Sequence, residues 1–128
     1  MADFLQVELV AADRTVWSGS ATMVIARTVE GDVGVLRGHA PMLSLLTEAT
    51  VEISPDEGPV VVAAVEGGFL SVAEDRVSIL SERALLAEEI DVSEARTDLE
   101  AAQGIDGDER EQQIRRAEAR IRAVEKTS

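Results

Sequence analysis

The chain has no cysteine, so disulfides, thiolate metal sites and thiol nucleophiles are all excluded. It has a single histidine, His39, and a single lysine, Lys126. One imidazole cannot build a histidine-rich zinc site, and no Asp/Glu spacing resembles a calcium loop. A lipoyl or biotinyl carrier needs a lysine to modify, and Lys126 lies at the far end of a helical tail, so that role is excluded too. Aromatic residues make up 2% of the chain, namely Phe4, Trp17 and Phe69. Carbohydrate and single-stranded nucleic acid therefore find no stacking platform. Positive charge is also scarce, and the net charge of −13 repels phosphate backbones. Nucleic acid is not an expected partner. The longest apolar runs, such as Val60 to Val65, are too short to span a bilayer. Met1 to Gln6 lacks the basic start and apolar stretch of a signal peptide. A cytosolic protein without direct membrane insertion is expected, any membrane association being made through a partner.

What is present is aliphatic. Hydrophobic residues are 45% of 128, enough for the core of one domain, or of a small domain with an appendage, built from Val, Leu, Ile and Ala. Up to about Glu89 the apolar residues alternate with period two. Leu5, Val7 and Leu9 read as one half-buried strand, and further short strand candidates follow at Val16–Gly19, Ala21–Arg27, Ala49–Ile53, Val60–Val65, Phe69–Val72 and Arg76–Leu80. Eight to ten such strands separated by turn signals predict an all-β sandwich or barrel. Val60 to Val65 is apolar on both faces, so this strand is sandwiched or meets another protein. Gly67-Gly68 marks a bulge or a close approach of backbone.

From Asp91 the period becomes helical. Val92, Ala95, Leu99 and Ala102 recur at helical spacing, as do Ile114, Ala117, Ile121 and Val124. Two matched narrow seams predict an antiparallel helical hairpin joined through Gly104–Asp108. Asp91 with Glu94 three residues on is a capping-box signal. A short hairpin with alanine-rich seams is marginal alone, so it must lean on the β-domain or on a partner. On the second helix Arg116 and Arg120 sit four apart beside the seam, like charges that suit an anion or an acidic surface, or form a solvated flank. Arg115 and Arg122 fall on the outer face, with Glu111 and Glu118 as helical partners.

The stretch Glu30 to Leu46 gathers three of nine glycines, the histidine and a proline, and reads as a sharp, rigid turn close to the core. It is not an active site by its parts. No nucleophile elbow or Ser-x-x-Lys pair occurs. Gly31-Asp32-Val33-Gly34 has neither dinucleotide nor phosphate-loop spacing. His39 is expected to bond nearby backbone.

Gly31-Asp32-Val33-Gly34-Val35-Leu36-Arg37-Gly38-His39-Ala40-Pro41-Met42-Leu43, followed by Gly67-Gly68-Phe69-Leu70-Ser71-Val72, Val77–Leu80 and Ile90-Asp91, resembles the epsilon subunit of F-type ATP synthases over nearly the whole chain. The resemblance implies a β-sandwich of about ten strands (residues 1–89) followed by an α-helical hairpin (90–128). It implies a non-catalytic rotor subunit that binds the gamma subunit and the ring of c subunits and couples proton flow to ATP synthesis. Its place would be peripheral, on the cytoplasmic face of a bacterial membrane. In the family the hairpin lies folded on the sandwich or extends toward the alpha and beta catalytic subunits, hindering ATP hydrolysis. The resemblance assigns Asp32 and His39 to one turn that faces the c ring. It assigns regulatory ATP to Ile90, Asp91, Arg116 and Arg120. Here the family's motif arginine is replaced by Glu94 and the hairpin is shorter than in ATP-binding members, so weak ATP binding or none is expected, with no other cofactor. Without the resemblance, the residues also fit a small acidic β-sandwich adaptor whose hairpin docks on a partner helix.

Overall fold

Alternation of apolar and polar residues sets the first strand, β1 (Leu5–Ala11), which buries Leu5, Val7, Leu9 and Ala11 and turns Gln6 and Glu8 outward. The computed structural model describes residues 4–127. After β1 come β2 (Thr15–Thr28), β3 (Gly31–Leu36), β4 (Met42–Pro55), β5 (Val61–Glu66), β6 (Phe69–Ala73), β7 (Arg76–Ser81) and β8 (Ala84–Leu86). A single 3-10 turn, Ala87–Glu89, leads to helices α1 (Val92–Gln103) and α2 (Glu109–Thr127). The β-sandwich followed by a helical hairpin is the architecture that the sequence predicts.

The strand count shows how two sheets arise from one ladder. Among the described residues eight continuous strands run in the order β3-β2-β1-β7-β6-β4-β5-β8, closed by an additional β2–β4 pairing. β2 and β4 are 14 residues each, roughly 45 Å if straight at ~3.3 Å per residue, too long for one layer of a small domain. Each therefore bends and serves both layers. The first half of β2 pairs with β1, and its second half pairs with β3 and β4. The first half of β4 pairs with β6, and its second half with β5 and β2. Counted as segments these are ten: a front layer of β3, late β2, late β4, β5 and β8, and a back layer of early β2, β1, β7, β6 and early β4. The register of β2 shifts between Ala21 and Met23, at the bend. The stretches Val16–Gly19 and Ala21–Arg27, separate by their sequence pattern, are one strand.

The core between the layers is aliphatic, with Leu5, Leu9, Val24, Val35, Ile53, Leu70 and Ile79 fully buried. β5 resolves the question of its two apolar faces. Ala63 and Val65 enter the sandwich core, while Val62 and Ala64 pack outward against Ala119 and Ala123 of α2. α2 thus lies on the outer face of β4 and β5, and α1 packs on α2.

The Glu30–Leu46 stretch is not one turn. Its first part is the strand β3, paired with β2 from Met23↔Leu36 to Thr28↔Gly31, and its last part, from Met42, begins β4. Two turns flank β3, and the left-handed glycines are Gly31 and Gly38, not Gly34. Gly67-Gly68 carries the chain from the front layer to the back one, with φ of +75° and +105°. The close-approach reading holds at Gly68, where a Cβ would meet the Leu80 carbonyl oxygen at 1.8 Å.

Candidate functional site

Helix α1 begins where the chain supplies a cap. The Asp91 carboxylate accepts hydrogen bonds from the backbone N–H of Ser93 at 2.9 Å and of Glu94 at 3.1 Å. Ile90, just before it, is half-buried against the cluster formed by Val62, Ala64, Ala87, Ala119 and Ala123. α2 brings Arg116 and Arg120 to the same side, so the structure gathers all four residues of the expected nucleotide motif around two adjoining cavities. One, about 150 Å³, is lined by Ile90, Asp91, Glu94, Asp98 and Arg120 among others. The second, about 270 Å³, lies between Glu66, Arg83, Asp98, Arg116 and Arg120.

Both arginines already have anions. Arg116 Nε lies 3.0 Å from Glu66 Oε1 on β5, off the N–H axis, so the contact is a charge pair without a directed hydrogen bond. Arg120 Nη2 lies 3.4 Å from Asp98 Oδ2 on α1, and its Nε is buried without a partner. Glu66 and Asp98 are functional neighbours that the sequence pattern does not single out. Asp98 reads as a solvated position on α1, and Glu66 as a strand end before two glycines. Both cavities are also smaller than the ~300–1,000 Å³ usual for small-molecule sites.

The flank of α2 holds a second set of contacts. Arg115, on an exposed flank of α2, turns to Glu48 on β4, Nε to Oε2 at 3.3 Å, and not to Glu111, which pairs with Arg110 at 3.6 Å. Gln112 donates to Glu48 Oε1 at 3.1 Å, and Lys126 reaches Glu52 at 3.3 Å. Burial pushes the Glu48 carboxyl upward. Hydrogen bonds from its own backbone N–H, Gln112 and Arg115, with the charge of Arg115, outweigh that and hold it below the ordinary carboxylate value.

Asp32 and His39 are not brought together. Asp32 opens β3 opposite Arg27, paired at 3.5 Å and exposed, and lines a cavity beside α2. His39 lies past the other end of β3. Its backbone N–H donates to the Leu36 carbonyl at 3.1 Å, and its Nδ1 sits 2.6 Å from the Ala40 carbonyl oxygen. Next to it the Gly38 N–H donates to Asp75 in the β6–β7 turn at 2.7 Å. A whole strand separates the two residues, so one turn cannot present both. His39 does bond nearby backbone, as its place predicts.

The back layer carries a feature that alternation alone left unread. Leu45 on β4 pairs with Phe69 on β6, which pairs with Leu80 on β7. These three side chains are about half exposed and Leu43 is 71% exposed. Four large apolar groups on three adjacent strands form a continuous uncovered stripe on the outer face of the back layer. No helix among the described residues is long and apolar enough to cross a membrane. No group of side chains among them is arranged to hold a metal.

The family model for the ATP synthase delta/epsilon chain β-sandwich domain matches residues 4–87, the whole sandwich. The chain belongs to the ATP synthase delta/epsilon family. Relatives extend the match over the hairpin. The ATP synthase epsilon chain of Streptomyces griseus is 55% identical over 124 residues, covering 97% of this chain and 98% of the relative. That of Rhodococcus jostii is 51% identical over 123 residues, covering 95% and 97%. The fold matches a chain in the solved mitochondrial ATP synthase of Euglena gracilis, an OSCP/F1/c-ring assembly, with a TM-score of 0.75 at 24% identity, covering 99% of this chain and 82% of that one. A central stalk and c-ring structure from Tetrahymena thermophila gives a TM-score of 0.60 at 15% identity, covering 98% and 96%.

Proposed function

We propose that this chain is a non-catalytic rotor subunit of an F-type ATP synthase, its sandwich (1–89) seated on the gamma subunit and the c ring and its hairpin (90–128) regulating hydrolysis. The observation that carries this reading is the Leu43–Leu45–Phe69–Leu80 stripe. A domain of this family with one outer sheet face under its own helix and the other bare and apolar has a face suited to an elongated partner. Gamma is that partner in this reading, and the c ring meets the exposed Asp32 at the β2–β3 end. The alpha and beta subunits are the hairpin's partners when it extends, and the complex lies on the cytoplasmic face of the cell membrane.

Reconstitution with cognate gamma and c ring tests this. The wild-type chain is expected to be captured by gamma. A Leu45→Ser/Phe69→Ser variant, altered only on the exposed face, is expected to bind at least about tenfold more weakly, since truncated central apolar anchors typically cost 1–2 kcal/mol or more each. Asp32→Lys is expected to weaken assembly with the c ring and leave gamma binding intact. No capture of gamma, or equal capture by the double variant, would overturn the assignment of this face. Deleting residues 91–128 is expected to raise ATP hydrolysis by the assembled enzyme, and unchanged hydrolysis would overturn the inhibitory role of the hairpin.

ATP is not a firm ligand in this reading. Glu66 and Asp98 occupy the arginines that a triphosphate would need, and Glu94 adds further negative charge at the cavity mouth. Titration calorimetry of the full chain with ATP is expected to give no binding tighter than millimolar, and a submillimolar dissociation constant would refute this.

A further inference from the structure

Glu48 and Glu66 face each other directly across β4 and β5. Like charges in that position, with Cβ atoms about 4.5–5.5 Å apart, destabilise a sheet. They lie on the outer face of the front layer, the face that α2 covers, and Glu52 shares it. The cations and the amide of α2 arrive there: Gln112 and Arg115 on Glu48, Arg116 on Glu66, Lys126 on Glu52. The β7–β8 connection adds Arg83, 3.8 Å from Glu66 Oε2. Across the neighbouring cavity stand Arg27 of β2, Asp32 of β3 and Glu118 and Arg122 of α2. Beneath these pairs the apolar contact is small, since Ala119 and Ala123 meet Val62 and Ala64. The charged groups therefore decide how firmly the helix is held.

We propose that Glu48 and Glu66 form a proton- and salt-sensitive latch for the hairpin. Charged, the pair repels itself and is quieted by Arg115 and Arg116 of α2, with Arg83 of the β7–β8 connection on Glu66. When a solvent proton neutralises Glu48, its pull on Arg115 and its repulsion of Glu66 both fall away and the hairpin is released. The sign follows from Glu48, whose carboxyl is held below its ordinary value while α2 is docked. Such a group stabilises docking fully above the ordinary carboxylate range, and the contribution is lost as pH falls through the docked-state value. Release is therefore coupled to proton uptake, and salt weakens docking by screening the pairs, though less than it would for exposed ones.

This rests on the reading of the hairpin as a movable element, and the test separates the two. The absence of cysteine allows nitroxide labels on cysteines introduced at Asp56 and Glu100 of the full chain. Distances between them are read by electron resonance from pH 8 to pH 4, and backbone amide shifts of β1 and β7 monitor the sandwich. At pH 8 one docked distance is expected. Below about pH 5 a longer population should grow, the docked-to-released ratio falling up to about tenfold per pH unit for each proton taken up, with the β1 and β7 shifts unchanged. In Glu48→Gln/Glu66→Gln the ratio should stay within about twofold across the same pH range, and its salt dependence from 0.05 to 1 M should shrink to what the remaining Lys126–Glu52 pair contributes. An equal pH response in the glutamine variant, opening that coincides with loss of the β1 and β7 signals, or a wild-type chain docked at every pH would each overturn the latch. Ala123→Asp serves as the released reference. If it opens while low pH does not, the latch fails and the movable hairpin stands. If it too stays docked, the movable hairpin itself is refuted.

Discussion

A Gly68→Ala variant is expected to lose more than about 4 kcal/mol of stability, or to fail to fold, because two independent penalties fall on one residue. Gly68 has φ of +105°, a region that residues with a Cβ rarely adopt. Its added Cβ would also lie 1.8 Å from the Leu80 carbonyl oxygen and 2.8 Å from the Ser81 Cα. Those are backbone atoms of β7, and β7 is held on both sides by β1 and β6. Neither can step aside without breaking the ladder. The Gly68 carbonyl also accepts the Leu46 N–H at 2.9 Å, at the bend of β4, so displacing Gly68 disturbs the corner where the two layers join. Gly31→Ala is the control. Its φ is +120°, but nothing lies within 4 Å of the added Cβ, so only the backbone penalty of roughly 1–3 kcal/mol applies. Denaturant titration followed at Trp17 should rank them Gly68→Ala far below Gly31→Ala. Equal losses would mean that the crossing of β5 into β6 tolerates separation from β7. Against a typical total of 5–15 kcal/mol, the first loss is a large fraction of what holds the domain together.

Ala123→Asp is expected to detach the hairpin and leave the sandwich folded. Ala123 is fully buried among Val62, Ala64, Ala87 and Ala119, and a carboxylate there would have no cation at hand inside the cluster. An uncompensated buried charge costs about 3–5 kcal/mol. That exceeds what a few alanine contacts and partly exposed ion pairs supply, so undocking is the cheaper response. The sandwich has its own separate cluster, which contains none of the helical residues. Amide hydrogen exchange should therefore show α1 and α2 losing protection by at least about a hundredfold while β1, β6 and β7 keep theirs. Protection retained in α2 would show that the hairpin does not part from the sandwich and would refute the movable element. Collapse of protection throughout would show that hairpin and sandwich form one cooperative unit.

These two variants mark where the sequence was legible and where it was not. The paired glycines announced either a bulge or a close approach, because two residues without side chains interrupt a strand pattern there. Which backbone comes close could not be read, since Leu80 and Ser81 reach Gly68 only through the pairing of β6 with β7. For α2 the seam toward α1, with Ala117 at its buried centre, was visible from its spacing. The second stripe, Ala119 and Ala123, was not. Alanine at a four-residue interval is compatible with solvent, and only the landing of the helix on Val62 and Ala64 makes it an interface. Asp32 and His39 were placed in one turn by the family resemblance. The residues from Asp32 to Leu36 form a strand because β2 offers an edge for them to pair with.

The sequence by itself determined the kinds of element and the chemistry excluded. Period two gives strands and period 3.6 gives helices because each is a property of a few consecutive residues. The lack of cysteine closes off thiol chemistry and thiolate metal sites, and a single histidine closes off a histidine-rich metal site, without reference to shape. The stretches around Gly-His-Ala-Pro and Gly-Gly-Phe-Leu also marked the family. Tertiary structure alone decided the partners of the charges. Arg115 meets Glu48 across 67 positions, and Arg116 meets Glu66, because the register of β4 on β5 and the seat of α2 place them together. An ion pair between distant residues is fixed by where two surfaces meet, and no local pattern in the chain carries that information.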